Sequence, residues 1–308
     1  MSLITNTAFT AIETGTPVLL AATGELLSER VGVYNVGIEG VMLMGALGGL
    51  AGEQATNNLE LGLLSGVGCG MAMALLFGIA VVVFRANMLI AGLAITFMGT
   101  GLSSQFGNNY TASIPNHVIP HWNIPGLQSL PYVGHALFQH LALVYLAVLF
   151  PFLAAFLLYR TRHGMNMRAI GENPGAVDAA GISVSFWRMF YILVAGGFAG
   201  LAGAFLTLGT VQSWIAGVTS GEGWIAIAIV ILAGWRPLPL ILGAYLFGTL
   251  GTLGNVAQAQ GWSIPSELFS ALPYLGTLVI LFILTWIRSV RRGGGAWPAA
   301  LGEQFSRA

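Results

Sequence analysis

The chain has 308 residues, of which 56% are hydrophobic and only 7% charged, and its formal net charge is zero. A soluble domain carries about 25% charged residues, so this composition excludes a water-dispersed globule and points to an outer surface that faces lipid. A balanced charge also implies no nucleic-acid partner.

The 43 glycines agree, because small residues let membrane helices approach closely. Arginine supplies all eleven basic residues other than histidine. Cys69 is the only cysteine and lies in an apolar run, so it reads as a packed small residue rather than a ligand or nucleophile. The stretch from Met1 to Leu20 has no basic start, so no cleaved signal peptide is expected. The membrane segments themselves would direct the chain to the inner membrane.

A helix needs roughly 20 apolar residues to cross the hydrocarbon core. In chain order, spans are predicted at about 8–27, 31–51, 61–84, 88–107, 139–158, 187–209, 222–234, 238–257 and 271–287. The fold class is therefore all-α: a polytopic transmembrane bundle of about nine spans (eight to ten), in one domain over 1–308. The first two spans carry the most polar residues. Glu13, Glu25 and Glu29 interrupt or flank the first, and Gly32, Asn35, Gly37, Glu39 and Gly40 interrupt the second.

Nine spans with the N-terminus outside put the arginines on the cytoplasmic side, as the positive-inside rule requires. Arg30, Arg85, Arg160, Arg162, Arg168, Arg188, Arg236, Arg288, Arg291, Arg292 and Arg307 all obey this orientation. It places the C-terminus in the cytoplasm. The loop from about 108 to 138 then lies outside, with Pro115, Pro120, Pro125, Pro131, His117, His121 and His135. Their spacing suits an ordered cap better than a metal site, and no metal is expected. Glu39-Gly40 opens one predicted helix and Glu222-Gly223 another, a faint echo of the inverted repeats found in transporters.

The segment Arg162 to Ile182 is the most informative. Asn173 is a good N-cap, Pro174 fits the first helical position, and Gly181 fits a helix stop. These signals write a short helix over about 174–180, too short to be stable alone. Gly175, Ala176, Ala179 and Ala180 give it a small face. Such a helix at a membrane surface is either a docking element for a partner or a plain connector.

This loop resembles the cytoplasmic coupling helix of ABC importer permeases. In the branch for simple sugars, nucleosides and branched-chain amino acids the loop reads Arg-Ala-x-Gly-x-Asn-x-x-Ala-Ala-x-x-x-Gly-Ile. Arg168, Ala169, Gly171, Asn173, Gly181 and Ile182 fit that form. A second stretch, Ser28 to Ala46, is similar to the Glu-Arg-x-Gly-x-x-Asn-x-Gly-x-Glu-Gly signature of nucleoside-type permeases. A third runs from Gly221-Glu222-Gly223-Trp224 to Gly234-Trp235. The resemblance extends from about Pro17 to Arg288.

It implies a permease subunit that does no chemistry. It implies a separate ATPase subunit holding ATP and Mg, an extracytoplasmic solute-binding protein, and a second permease. Asn173, Pro174, Gly175, Ala176, Ala179, Ala180 and Gly181 would couple to the ATPase. The resemblance favours import, with nucleosides as cargo and simple sugars as the alternative. The chain's shortness and outside N-terminus suggest pairing with a longer paralogue.

Costly polar groups within a membrane face a cavity or a partner. Asn35, Glu39, Asn87, Thr96 and Glu222 are thus candidates for the solute pathway. For Asn35 and Glu39 the competing reading is helix-to-helix hydrogen bonding, and for Glu222 a helix cap. An ion-gradient transporter is the competing function, although the spans offer few acids for an ion relay. An intramembrane enzyme would need a catalytic motif, and the spans carry none of the usual ones.

Overall fold

A computed structural model of the chain describes residues 3–122, 137–260 and 297–305, together with residues 271, 272, 275, 276, 278, 279 and 282. Among the described residues every named element is helical, and β-pairing is limited to isolated bridges such as Thr111 with Trp214 and His121 with Leu141.

The bundle is built around α1 (Leu3–Arg30). From Gly15 to Val33 every residue is buried. Thr16 and Thr23 hide their hydroxyls by donating to the Ile12 and Leu19 carbonyls, each at 2.7 Å, so the helix enters the interior without orphaned donors. Helix α2 (Ile38–Thr56) is buried along most of its length as well.

Helix α3 (Leu59–Gly78) is capped by Asn58, whose side chain accepts from the amides of Glu60 and Leu61, and it ends in a π-helical turn over Ile79–Val83. Helix α4 is Met88–Gly107, and α5 is Ala142–Arg160 with Pro151 inside it. Two short helices follow, α6 (Arg162–Glu172) and α7 (Pro174–Ala179). Helix α8 (Val184–Phe205) also ends in a π-helical turn, over Leu206–Thr210. The last described helices are α9 (Glu222–Leu232) and α10 (Pro237–Ala259).

Five described segments are long and apolar enough to cross a membrane on their own: Leu59–Val83, Met88–Tyr110, Ala142–Arg160, Val184–Thr210 and Pro237–Gly254. Helices α1 and α2 form where spans were predicted, but their carboxylates keep them below that standard. They tolerate those groups because protein, not lipid, surrounds them. Helix α9 is apolar but short. The predicted span at 271–287 lies mostly outside the described residues.

The span predicted at 31–51 needs correcting at its start. Residues 31–37 are not helical, because Gly32 adopts φ +88° and the Asn35 Oδ1 turns back to accept from Gly37 N at 2.9 Å. The span predicted at 139–158 starts at Ala142, since Leu141 is held in the bridge to His121.

Helices α3 and α8 approach through glycine. A Cβ on Gly70 would lie 2.3 Å from the Gly196 carbonyl oxygen, so no larger residue fits at that crossing. The outward residues are apolar on α3 (Leu61, Leu64, Met71, Leu75), on α5 (Leu146, Leu149, Phe152, Phe156) and on α10 (Leu238, Leu242, Leu246, Leu253). These are faces suited to lipid.

Several arginines gather at one end. Arg188 Nε donates to the Val31 carbonyl at 3.2 Å, Arg30 Nε donates to the Trp235 carbonyl at 2.9 Å, and Arg168 lies over the Tyr159 ring at 5.6 Å. Arg85 shares a cleft at the same end with Asp178 and Ser183.

Candidate functional site

The residues singled out from sequence fall into two places, a junction deep in the bundle and the arginine-rich end.

At the junction the first turns of α2 and α9 meet. The start of α9 leaves backbone amides without intrahelical partners. Its own N-cap position is Gly221, at φ +83°, which has no side chain to offer. Glu39 supplies the cap from α2 instead. Its Oε1 accepts from the Thr219 hydroxyl at 2.5 Å and from Gly221 N at 2.9 Å, and its Oε2 accepts from Gly223 N at 2.8 Å. A carboxylate is well placed there, since a helix N-terminus carries partial positive charge. The backbones touch: a Cβ on Gly223 would sit 2.7 Å from the Glu39 Cα. The two Glu-Gly pairs that echo each other in sequence are thus brought into one contact.

Helix α4 backs this junction. A Cβ on Gly99 would lie 2.4 Å from the Gly40 carbonyl oxygen, and the Thr96 hydroxyl donates to the Val36 carbonyl at 3.2 Å. Asn35 is buried; its amide donates to Glu25 Oε1 at 2.6 Å. Glu222 keeps its Oε2 enclosed, with no hydrogen-bond partner among the described residues. Asn35, Glu39, Thr96 and Glu222 therefore cluster. Asn87 does not join them. It is exposed at the start of α4, where its side chain caps the amides of Leu89 and Ile90 at 3.0 and 3.2 Å.

At the arginine end the local signals produce the expected short helix. Asn173 Oδ1 accepts from Ala176 N at 3.0 Å, Pro174 occupies the first turn, and Gly181 follows at φ +85°. The helix ends at Ala179 with Ala180 as its cap. Val177 is buried and anchors it, whereas Gly175, Ala176, Ala179, Ala180 and Gly181 are exposed. The small face points outward with room around it: a Cβ on Gly175 would meet only Asn173 Oδ1, at 3.6 Å.

Sequence reasoning missed three parts of these sites. Thr219 carried no motif, and its role depends on a residue 180 positions away. Glu29 accepts from the Trp235 indole, tying the foot of α1 to the turn between α9 and α10. The segment 297–305 forms a strap: Ala300 N donates to the Gly171 carbonyl at 2.8 Å, Gly302 N to the Gly32 carbonyl at 3.0 Å, and Arg188 Nη1 to the Glu303 carbonyl at 2.8 Å. Its composition is that of an ordinary loop, so nothing in the sequence marked it.

At the opposite end Glu53 accepts from the amides of Asn116 and His117 at 3.0 and 2.8 Å, and from the His117 ring at 3.0 Å. His121 Nδ1 lies 3.1 Å from the Gln139 carbonyl oxygen. His117 holds the loop to α2 and His121 ties it to the segment leading into α5, and no group of three or more metal-ligating side chains forms among the described residues. His135 lies outside the described residues.

A bundle of apolar spans enclosing polar helix starts is that of an integral membrane protein, and comparison supplies the class. A family model described as branched-chain amino acid transport system / permease component matches residues 7–284. The chain belongs to this permease family.

It is 37% identical to a putative glucose ABC transporter permease protein of Haloferax volcanii, over 96% of each chain. It is 32% identical to a nucleoside ABC transporter permease protein of Lactococcus lactis, over 86% of this chain and 88% of the relative. It is 30% identical to a guanosine ABC transporter permease protein of Bacillus subtilis, over 87% and 86%. The first two organisms each hold a second matching permease described with the same solute. The chain is thus an ABC transporter permease subunit. The ion-gradient and intramembrane-enzyme readings give way to that.

Proposed function

We propose that this chain forms half of the translocation pathway of an ABC importer in the inner membrane, carrying a neutral, hydroxyl-rich solute, with nucleosides as the favoured cargo. Nine spans and a cytoplasmic C-terminus complete the reading. The gathering of arginines at one end supports that orientation through the positive-inside rule.

The observation that carries the mechanism is α7. It is capped at both ends, anchored by Val177, and presents only small residues outward. A face of this kind docks closely into a groove on a partner. The partner is an ATPase subunit, which binds ATP and Mg. Its closure pushes α7, and the strap of residues 297–305 passes the movement from Gly171 to the 31–37 linker and Arg188. Asn35, Glu39, Thr96 and Glu222 then lie where the moving linker meets the deep junction, and Asn87 sits at the inner mouth. A second permease, a paralogue, supplies the other half, and an extracytoplasmic binding protein delivers the solute.

Two observations favour nucleosides: the Glu29 to Gly40 signature and the two nucleoside-described relatives. A sugar is the second reading, favoured by the 37% identity to a glucose-described permease. The test is ATP-driven uptake of labelled nucleosides and glucose by vesicles holding the full set of subunits. Gly175→Trp with Ala179→Trp should abolish uptake while the subunit still inserts, because both side chains have open space. Uptake that survives the double substitution would sink the coupling role of α7. Uptake of glucose alone would discard nucleosides and keep the mechanism.

A further inference from the structure

Helix α4 differs from the other outward-facing helices in a way that marks a surface. On the exposed side of α4, the first half is apolar: Ile90, Leu93 and Phe97. Beyond Phe97 the same side turns polar. Thr100, Gly101, Gln105 and Asn108 are exposed, and Ser104 is half-buried among them, while the exposed Phe106 stands on a different side of the helix, about 180° around from Phe97. With a rise of about 1.5 Å per residue, Thr100 lies about 18 Å from the start of α4, near mid-membrane. Gly101 faces open space: a Cβ there would meet nothing within 4 Å. The Thr100 hydroxyl donates to the Thr96 carbonyl at 2.9 Å, which leaves its oxygen free to accept.

Lipid cannot cover such a face at low cost, because hydrocarbon offers no partner for the Gln105 and Asn108 side-chain amides. A segment running alongside α4 supports the same conclusion. A Cβ on Gly107 would lie 2.2 Å from the Trp214 indole nitrogen, and Gly99 rests on Gly40, beside the Glu39 that holds Thr219, Gly221 and Gly223. Residues 212–221 therefore pass from the far end of α4 down to the junction without a helix. Gln212, Ile215, Ala216, Gly217 and Ser220 along it are exposed. Irregular backbone at membrane depth is stable only inside protein or beside a water-filled cavity.

We infer that the outer half of α4, through Thr100, Ser104 and Gln105, lines a water-filled solute pathway and hydrogen-bonds an uncharged, hydroxyl-bearing solute there. Two hydroxyls and a carboxamide match sugar or ribose hydroxyls. The segment Met88–Tyr110 holds no charged residue, so this lining offers no counter-ion for a zwitterionic amino acid. The floor of the polar region is Phe97, where the lining becomes apolar. The inference rests on the permease reading above and adds to it which wall the solute touches.

The test is thiol labelling in the assembled transporter. Cys69→Ala gives a background free of cysteine in this chain. Thr100→Cys, Ser104→Cys and Gln105→Cys are then compared with Asn109→Cys at the outer end and with Leu149→Cys and Phe152→Cys on α5. A charged, membrane-impermeant thiol reagent is added from outside. Since only an ionised, water-accessible thiol reacts, the three α4 positions should label within about tenfold of Asn109→Cys, and the α5 positions at least about a hundredfold more slowly. Guanosine, uridine and glucose serve as probes, and at least one should slow labelling on α4. Labelling of all three positions no faster than at Leu149→Cys would overturn the inference, showing a dry face covered by lipid or by the second permease. Labelling that none of the probes slows would overturn solute recognition. ATP-driven uptake is measured separately on the same vesicles. Loss of ATP dependence there would sink the proposed ATP-driven import without changing which positions water reaches.

Discussion

Helices α4 and α5 are both about 20 residues long and both apolar enough to cross a membrane, yet they meet their surroundings differently. The outward side of α5 is Leu146, Leu149, Phe152 and Phe156, whereas α4 beyond its midpoint carries one stripe of Thr100, Ser104 and Gln105, with the exposed Phe106 on another side. Mean hydropathy is lower for α4 than for α5, but it averages around the helix and so does not say which side carries the polar groups. What separates a lipid-facing wall from a pathway wall is the polarity of the open stripe, not of the whole segment.

The largest effect should come from removing the support on which α4 rests. Glu39→Ala deletes an acceptor for three donors and leaves Thr219, Gly221 and Gly223 with buried, unpaired groups. A loss of about 3 kcal/mol is expected, read as a fall in melting temperature of the detergent-solubilised subunit. Thiol labelling on α4 should change in this variant and labelling on α5 should not. An unchanged melting temperature would show that Glu39 does not hold the junction.

Exchanging the character of the two faces comes next. Phe152→Gln puts an amide against lipid and should destabilise by about 2 kcal/mol. Gln105→Leu should leave stability unchanged and still reduce solute uptake. Equal stability effects at the two positions would remove the distinction between the walls.

The smallest effect should come from the end to which α5 leads. Asn173→Ala removes the cap of α7 and should cost about 1 kcal/mol. Uptake should fall more than stability does, because the helix must be formed to meet the ATPase. If uptake is unaffected, α7 serves as a connector only.

Much of the arginine end was legible because its signals are local. Asn173, Pro174 and Gly181 each act within one turn, so the sequence alone placed the helix over 174–180 within one residue of its observed end at Ala179. Asn87 caps α4 by an equally local signal, although its place at the head of an apolar run suggested a pathway residue instead. The junction was legible only in part. Glu39 and Glu222 stood out as acids within apolar stretches, but the partners of Glu39 lie 180 to 184 positions away along the chain. The start of α2 was also misplaced, because hydrophobicity continues through residues 31–37 while Gly32 and Asn35 turn the backbone out of the helix.

The sequence by itself determined that the protein lies in a membrane, where most of its helices run, and which family it resembles, since charge deficit, apolar length and capping residues are read along the chain. Tertiary structure decided which polar residues are spent and which are available. Helix α4 carries hydroxyls on two sides, and periodicity cannot choose between them. Thr96 and Ser103 are enclosed because α4 packs by its Gly92 and Gly99 side, where small residues allow close approach, and α2 lies there; Thr100 and Ser104 stay open because no described helix covers them.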